Sequence, residues 1–185
     1  MMKGMVRKPI KSLLAVLVVS IGGCLTLTEA WSQQKTALSY TVPAGATKYT
    51  QEHIIEVGDV PGHQVRVFEL HYDDTLTGVA YGGVKGKESW IRGISDYTNG
   101  NGVANNHVVH ILEDGSRIYS RASVLAQAGT NADGAKVLKF ASVETLLGGT
   151  GRFSRIRGVL RATSERVVGA SAAGSQVTGE YWFEE

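Results

Sequence analysis

A run of glycines near the C-terminal end of the chain constrains its fold more than any other feature. The run is Gly148-Gly149-Thr150-Gly151-Arg152-Phe153, and Gly158 follows five residues later. Glycine adopts positive φ angles at little cost and allows two backbones to approach closely. Because strand-like segments lie on both sides, the run predicts a sharp corner between two β-strands. A phosphate-binding loop is disfavoured, since no Lys-Ser or Lys-Thr follows and the next segment is not helical.

The first 32 residues have the pattern of an export signal. Lys3, Arg7, Lys8 and Lys11 precede an apolar run over residues 13–21. That run is too short to span a bilayer, and small or polar residues follow it. We therefore expect the chain to be exported and residues 1–32 to be a signal peptide or a lipoprotein signal.

Two sites of cleavage remain open. Thr28-Glu29-Ala30 and Ala30-Trp31-Ser32 carry the small residues that an ordinary signal peptidase needs, which predicts a periplasmic or secreted protein. Ile21-Gly22-Gly23-Cys24 is similar to a lipobox, in which a lipidated Cys24 would anchor the mature chain to a membrane. Cys24 is the single cysteine of the sequence. A mature fold without cysteine has no disulfide and depends on its core for stability.

The positive charge of the chain belongs to the leader. The sequence has 19 Lys and Arg against 17 Asp and Glu, and without residues 1–32 it retains 15 basic and 16 acidic residues, a net charge of −1. A mature domain of this kind has no overall positive field to attract nucleic acid. We expect no nucleic-acid partner and membrane contact only through a lipid anchor at Cys24. A homo-oligomer stays open.

Strand-like runs separated by turn signals occupy the chain from residue 48 onward. The clearest turns are Asn99-Gly100-Asn101-Gly102 and Asp114-Gly115. They bound eight predicted strands at 49–57, 64–73, 88–97, 103–112, 116–127, 137–147, 156–166 and 177–184. Residues 33–47 lack apolar periodicity, and we expect a flexible segment there.

Eight sequential strands with short links predict an all-β domain over residues 48–185, an eight-stranded antiparallel up-and-down β-barrel of calycin-like form. A barrel of this size encloses side chains or one small ligand. In it Gly158 would face inward and Arg157 outward, and Tyr72, Tyr181 and Phe183 are candidate ligand-binding side chains of the lumen. A seven- or eight-stranded sandwich is the competing architecture.

Several of these residues together resemble one protein superfamily. Asp114-Gly115-Ser116, the glycine run with Phe153, the following Gly158 and the final aromatic segment Gly179-Glu180-Tyr181-Trp182-Phe183 are similar to the allene oxide cyclase and dirigent proteins. The resemblance covers about residues 50–184. It implies a barrel that holds a small apolar or aromatic molecule and steers its cyclisation by restraining its conformation, an orientation effect that uses few catalytic groups and no cofactor.

The resemblance also implies two catalytic residues. Glu56 lies late on the first predicted strand, where the cyclases place a carboxylate. Asn99 matches their Phe-Thr-Asn segment, whose asparagine positions an ordered water. The chain departs from the family pattern at Gly58, where a second asparagine would be expected, and the mature chain lacks the cysteine that the cyclases carry on a middle strand.

Two other pairs of residues could carry chemistry. His107 and His110 are three positions apart, so on a strand they point to opposite faces, and the sequence supplies no further converging ligands for a metal site. Glu69 and His71 share a strand face and could form an acid–base pair. The simpler interpretation is a solvated outer face, because the alternate positions in this strand are more apolar.

The serines of the predicted strands complete the inventory. Ser89, Ser116, Ser120 and Ser123 have neither a nucleophile elbow nor a base beside them in the sequence. The poor catalytic inventory leaves two functions open. The first is a lumen that binds, and in the enzymatic version cyclises or isomerises, a small apolar or aromatic molecule. The alternative is a non-catalytic envelope interaction protein whose barrel is filled by its own side chains.

Overall fold

A computed structural model describes residues 34–169 and 174–185. The segment expected to be the export signal, Cys24 included, lies outside the described residues. The strands are β1 (Thr36–Val42), β2 (Thr47–Glu56), β3 (His63–Asp73), β4 (Ala80–Tyr81), β5 (Val84–Thr98), β6 (Asn101–Leu112), β7 (Arg117–Thr130), β8 (Lys136–Gly149), β9 (Ile156–Val167) and β10 (Ser175–Phe183). Single 3₁₀ turns lie at Asp74–Leu76 and Gly151–Phe153. Over the described ranges, no helix is long and apolar enough to cross a bilayer.

All the strands belong to one antiparallel sheet. Its order is β1-β10-β9-β8-β7-β6-β5-β3-β2, and the short β4 pairs with β5. From β5 to β10 each strand pairs with its neighbour in the sequence, which is the up-and-down arrangement. The prediction of an all-β, antiparallel, up-and-down fold is confirmed. Among the described residues, the ladder of hydrogen bonds ends at β1 and β2 and does not join them.

The described part of the chain has ten strands rather than the predicted eight. The eight predicted strands correspond to β2, β3 and β5 to β10. The first addition, β1, forms within residues 33–47, which we expected to be flexible, and pairs along its whole length with β10. The second, β4, forms in a glycine-rich connection. Both were missed for physical reasons: β1 is specified by a partner at the other end of the chain, and two residues are too few to show a period.

The glycine run forms the corner that the sequence predicts. It joins β8 to β9 through a 3₁₀ turn, with φ angles of 142° at Gly148 and 56° at Gly151. Gly158 is buried on the inner face of β9, and a Cβ atom there would lie 2.7 Å from the Glu180 carbonyl oxygen and 2.9 Å from the Tyr181 Cβ. Arg157, on the opposite face, donates to the Leu147 carbonyl. The predicted faces of Gly158 and Arg157 are therefore correct.

Apolar side chains fill one end of the sheet. The β4–β5, β6–β7 and β8–β9 turns lie at the same end of the strands, because successive antiparallel strands reverse direction. A single cluster of buried side chains, called the apolar plug here, centres on these turns. The apolar plug consists of Val42, Ala46, Val79, Tyr81, Leu112, Ile118, Leu146, Phe153, Ile156, Leu160, Val177 and Tyr181.

Candidate functional site

A cavity of about 240 Å³ lies beside the apolar plug. All nine strands of the sheet path contribute to its lining, so the sheet curls around it. Its walls are mainly apolar and aromatic, and Phe68, Leu70, Ile91, Val108 and Phe140 are representative members. The lining extends to Tyr97 and Arg166, near the turns at the end of the strands opposite the plug. Because the plug fills one end, we infer that the cavity opens at this opposite end.

Polar side chains form a continuous chain of hydrogen bonds on the plug side of the cavity. The Ser89 hydroxyl donates to Asp74 Oδ2, and its oxygen lies 2.8 Å from His110 Nδ1. Across the imidazole ring, His110 Nε2 lies 2.7 Å from Glu144 Oε1, which also accepts from the Ser120 hydroxyl at 2.5 Å. These five residues are called the floor network here. Asp74, Ser89, His110 and Glu144 all line the cavity.

Strand register explains why these side chains meet. Ser89 and His110 are directly opposite each other in the β5–β6 pair, and directly paired residues share a sheet face. Glu144 lies on β8, beyond β7. On β7, Ile118 pairs with His110 and Ala122 pairs with Glu144, and Ser120 lies between these two positions. Because Ser120 and Ala122 are short, the side chains of Glu144 and His110 reach each other across β7. Asp74 arrives from the 3₁₀ turn after β3.

The protonation states of the floor network are set by opposing effects. Burial acts to lower the pKa of His110, but the Glu144 and Asp74 carboxylates outweigh it and raise that pKa above its ordinary value. Burial acts to raise the pKa of Glu144, but the charge and hydrogen bond of His110 and the Ser120 hydroxyl hold it below its usual range. The pair is therefore an imidazolium and a carboxylate, and the imidazolium donates to both neighbours.

Asp74 behaves in the opposite way to Glu144. Burial raises the pKa of Asp74 above its usual range, and the nearby Glu144 charge adds to the increase, whereas the Ser89 hydrogen bond and the His110 charge reduce it. The network thus raises the pKa of one carboxyl group and lowers the pKa of the other. Environments that separate the pKa values of two carboxyl groups are the usual basis of acid and base roles.

Tyrosine hydroxyls surround the floor network and stay protonated. Burial raises the pKa of Tyr40, Tyr72 and Tyr81, and the Glu144 and Asp74 carboxylates raise each further. The Tyr40 and Tyr81 hydroxyls influence each other's ionisation, although the Tyr81 hydroxyl has no hydrogen bond of normal geometry. The Tyr81 ring lies 5.9 Å from that of His110 and 5.6 Å from that of Tyr181, so Tyr81 joins the floor network to the apolar plug.

Of the three candidate ligand-binding residues, Tyr72 lines the cavity. Tyr181 is buried in the apolar plug, and its hydroxyl accepts from the Gly82 amide at 2.8 Å. Phe183 is partly exposed at the same end, with its ring 6.0 Å from those of Phe153 and Tyr181. Tyr181 and Phe183 therefore lie at the end that contains the apolar plug, whereas Tyr72 lies in the cavity wall.

Glu56 and Asn99 lie away from the cavity lining. Glu56 is an exposed residue at the end of β2 and accepts a hydrogen bond from Gln64. Asn99 is exposed in the β5–β6 turn, where its φ of 52° helps to form the predicted hairpin, and its side chain donates to the Pro61 carbonyl. Their catalytic assignment stays a prediction that this geometry does not support, and we leave both out of the site described below.

The two residue pairs singled out from the sequence lie as their strand positions predict. His107 is exposed and His110 is buried, on opposite faces of β6. Glu69 and His71 lie on the outer face, where Glu69 pairs with Arg92 at 2.7 Å and His71 pairs with Glu88 at 2.9 Å. Over residues 34–169 and 174–185, no group of three or more His, Cys, Asp or Glu side chains is arranged to hold a metal ion.

Sequence reasoning missed the floor network. The sequence shows no base beside Ser89, and the contact of Ser89 with His110 is supplied by the neighbouring strand. The pattern around Glu144 conceals its position, since the outward-facing Val143 and Leu147 are each 47% exposed while Glu144 faces inward. The one usable signal is that His110 shares its face of β6 mainly with apolar residues, Asn106 being the exception, and therefore needs a polar partner there.

The floor network has the residue types of a nucleophilic triad, but the serine hydroxyl does not donate its hydrogen bond to the histidine. Ser89, His110 and Glu144 are in hydrogen-bond contact in that order, as a serine, a base and an orienting acid would be. However, Ser89 directs its proton to Asp74 rather than to His110. The Ser89 residue is also inside the ladders with β3 and β6, where the amides that would stabilise an oxyanion are occupied. Proton transfer suits this arrangement better than acyl transfer does.

Comparisons with known proteins find no match to this chain, whether among protein-family models, curated proteins or solved structures. Membership of the allene oxide cyclase and dirigent superfamily therefore stays a prediction from the residues that carry the resemblance.

Proposed function

We propose that residues 34–185 form a β-barrel that binds one small apolar or aromatic molecule in its lumen. The observation that carries this proposal is the cavity of about 240 Å³, walled by apolar and aromatic side chains from all nine long strands. Closure would bring β1 and β2 together. Tyr40 of β1 and Tyr49 of β2 line the same cavity, and the Asp73 amide donates to the Ala46 carbonyl in the connection between these strands. A closed sheet also has no exposed edges.

The volume and polarity of the cavity limit what it can hold. An apolar protein cavity of about 150 Å³ accommodates benzene, so 240 Å³ suits a molecule of one or two rings with small substituents. Apolar walls would bind the body of that molecule, and the floor network offers hydrogen bonds to one polar group directed inward. A long acyl chain would have to extend past Tyr97 and Arg166.

Confinement gives this barrel a way to influence reactions. Holding a flexible molecule in a reactive conformation lowers the entropy cost of ring closure without a cofactor. This is the role that the resemblance to allene oxide cyclases and dirigent proteins implies. The non-catalytic alternative keeps one observation in its favour, because the apolar plug fills part of the interior. Ligand binding distinguishes the two, since a barrel filled by its own side chains would bind nothing.

The proposal also places the site of action outside the cytoplasm, after export of the chain. The basic and apolar pattern of residues 1–32 supports a periplasmic or secreted location, or a lipid anchor at Cys24. The mass of the mature chain tests this directly. A mature N-terminus near residue 31 would show ordinary cleavage, a lipid-modified Cys24 would show the anchored form, and an unprocessed chain would contradict export.

Titration calorimetry and native mass spectrometry with tetralin and 2-naphthol test the binding proposal. We expect one molecule of each probe to bind per chain. Ala122→Phe places a ring in the lumen and should weaken binding about tenfold or more, whereas Ala141→Phe makes the same change at an exposed position of β8 and should leave it unchanged. Absence of binding for both probes, or equal binding by the two variants, would contradict the proposal.

A further inference from the structure

The floor network contains two carboxyl groups that serve no purpose in simple apolar binding. Asp74 and Glu144 are held in a largely buried place, where a charge costs more than it does in water. An apolar floor would hold an apolar molecule as well. The chain nevertheless connects both groups through Ser89 and His110, with each contact at hydrogen-bond distance.

We propose that this floor is a proton-transfer site for small carbonyl compounds that carry a removable hydrogen next to the carbonyl group, with Glu144 as the base and Asp74 as the acid. The proposal rests on the lumen being the ligand-binding site. It adds to that function a reaction, a substrate class and two catalytic residues.

The distribution of hydrogen bonds supports these two roles. Glu144 Oε1 accepts the hydrogen bonds of both His110 and Ser120, so the second oxygen, Oε2, takes no part in the floor network. Asp74 uses Oδ2 for Ser89, which leaves Oδ1 outside the same network. Both residues line the cavity. Each therefore has one oxygen that orients the group and one that can meet a bound molecule.

The ionisation of the two groups matches their roles. The His110 charge holds the pKa of Glu144 low against the effect of burial, so the group is a carboxylate and can accept a proton. Burial raises the pKa of Asp74, which favours the protonated form that can donate. The other titratable groups that act on these two are Asp73 and His110. The tyrosines at positions 40, 72 and 81 also face them, and the two carboxylates raise the pKa of each tyrosine.

The reaction balances without an oxidant, a reductant or a cofactor. Glu144 takes a proton from the carbon next to the carbonyl group, and the electron pair of the broken C–H bond forms a C=C bond. The π pair of the carbonyl moves to oxygen, which takes the proton of Asp74. The product is a neutral enol, with Glu144 protonated and Asp74 ionised.

The reverse of the same step restores the starting state. Glu144, whose proton exchanges with solvent, returns a proton to the carbon, where the C=C π pair forms the new C–H bond. The O–H pair of the enol re-forms the carbonyl group as the hydroxyl proton returns to Asp74. His110 and Ser89 hold the two carboxyl groups through the hydrogen bonds of the structure, so they are positioning residues rather than catalytic ones.

Deuterium exchange into 2-tetralone tests the proposal, with the wild-type chain in D₂O and the label followed by NMR. The probe has two rings and enolisable hydrogens, and tetralin is its matched analogue without the carbonyl group. We expect exchange faster than the buffer rate at the same pD, selective for one of the two hydrogens on a carbon, and inhibited by excess tetralin. Asp74→Asn and Glu144→Gln should each reduce the protein-dependent rate by about 10²–10⁴-fold.

Matched variants separate chemistry from folding. Ser123→Ala removes a hydroxyl from an exposed position of β7, outside the cavity lining, and should leave the exchange rate unchanged. Ser89→Ala should slow exchange while tetralin still binds, and Ser89→Thr, which keeps a hydroxyl, should restore it. These three variants report on the positioning role of Ser89 even where a carboxyl variant does not fold.

The outcomes distinguish this proposal from the binding proposal. Absence of binding for both tetralin and 2-tetralone would overturn the lumen as a ligand site, and the reaction with it. Binding of both without exchange above the buffer rate would overturn only the reaction. Rapid exchange that persists in Asp74→Asn and Glu144→Gln would overturn the assignment of the two residues, and covalent labelling of Ser89 by a fluorophosphonate would favour a nucleophilic role instead.

Discussion

The two ends of the curled sheet are built from the same strands but do different work. At one end the side chains of the apolar plug are buried, and five of its members, including Leu112, Ile118 and Phe153, have no exposed surface. At the other end the same strands surround a cavity and place Asp74, His110 and Glu144 on its floor. The difference indicates that one end of each strand contributes mainly to stability and the other end mainly to the chemistry of the cavity. Changes at the plug should affect folding, and changes at the floor should affect ionisation and binding.

The largest expected effect is the loss of an aromatic side chain from the apolar plug. Phe153→Ala removes a fully buried ring and should lower the free energy of unfolding by about 3–5 kcal/mol. Phe140→Ala removes the same ring from the cavity wall, where it is only partly buried, and should cost about 1–2 kcal/mol. Urea unfolding of both variants measures the difference. Equal losses would show that the two ends contribute alike to stability.

A second comparison uses neighbouring positions on β9. Gly158→Val inserts a branched side chain against the Glu180 carbonyl and the Tyr181 Cβ and should destabilise the fold by about 1–3 kcal/mol. Arg157→Val removes hydrogen bonds and a 2.8 Å ion pair with Glu184 on the outer face, which are worth about 0–1 kcal/mol. Thermal melting checks this order. Equal melting temperatures would contradict the assignment of faces.

The floor network should respond to pH where the apolar plug does not. The raised pKa of His110 adds stability that is complete below its ordinary pKa of about 6.5 and disappears as the pH rises through the folded value. The lowered pKa of Glu144 adds stability that is complete above its ordinary pKa of about 4.3 and disappears as the pH falls through the folded value. The pair should therefore stabilise the fold most between about pH 4.3 and 6.5.

Glu144→Gln measures that contribution. We expect it to lower the free energy of unfolding by about 1–3 kcal/mol within this interval, because it leaves the buried His110 without its charged partner. The loss should shrink above the folded pKa of His110 and below that of Glu144. Denaturation of the wild type and the variant from pH 3 to 9 gives the profile, and a difference independent of pH would contradict an ion pair.

Asp74→Asn should have the opposite sign. Because burial raises the pKa of Asp74, its ionised form costs stability as the pH rises above the ordinary value of about 3.9. The amide carries no such charge, so the variant should equal or exceed the wild type in stability at neutral pH, and the difference should vanish in acid. A variant less stable than the wild type at pH 7 would show that the carboxylate is structurally required there.

The smallest expected effect lies outside both the apolar plug and the floor network, at His63. Its Nδ1 is 2.6 Å from Asp59 and its Nε2 is 2.8 Å from Asp96, and these contacts raise the pKa of His63 above its ordinary value. The small stabilisation they give is present below that ordinary value and is lost as the pH rises through the folded one. NMR titration should show a lower His63 pKa in Asp59→Asn and in Asp96→Asn. An unchanged pKa in both would mean that the contacts are not formed in solution.

Local signals in the sequence predicted much of the fold. Asn99-Gly100, Asp114-Gly115 and the glycine run are turns that short segments determine by themselves, because positive φ angles favour glycine and asparagine. With those turns placed, eight strands and the up-and-down order followed. Alternation also placed Gly158 inside and Arg157 outside, since side chains on a strand point to opposite faces in turn.

The tertiary structure decided what could not be read locally. β1 exists because β10, at the other end of the chain, offers it a partner. The floor network joins residues separated in the sequence by 15, 21 and 34 positions, and those contacts require the register of several strand pairs at once. A change of one residue in any register would turn Ser89, His110 or Glu144 to the outer face. The sequence alone therefore determined the main turns and eight of the ten described strands, because turn residues and alternation act locally, and the curling of the sheet decided which polar groups share an interior.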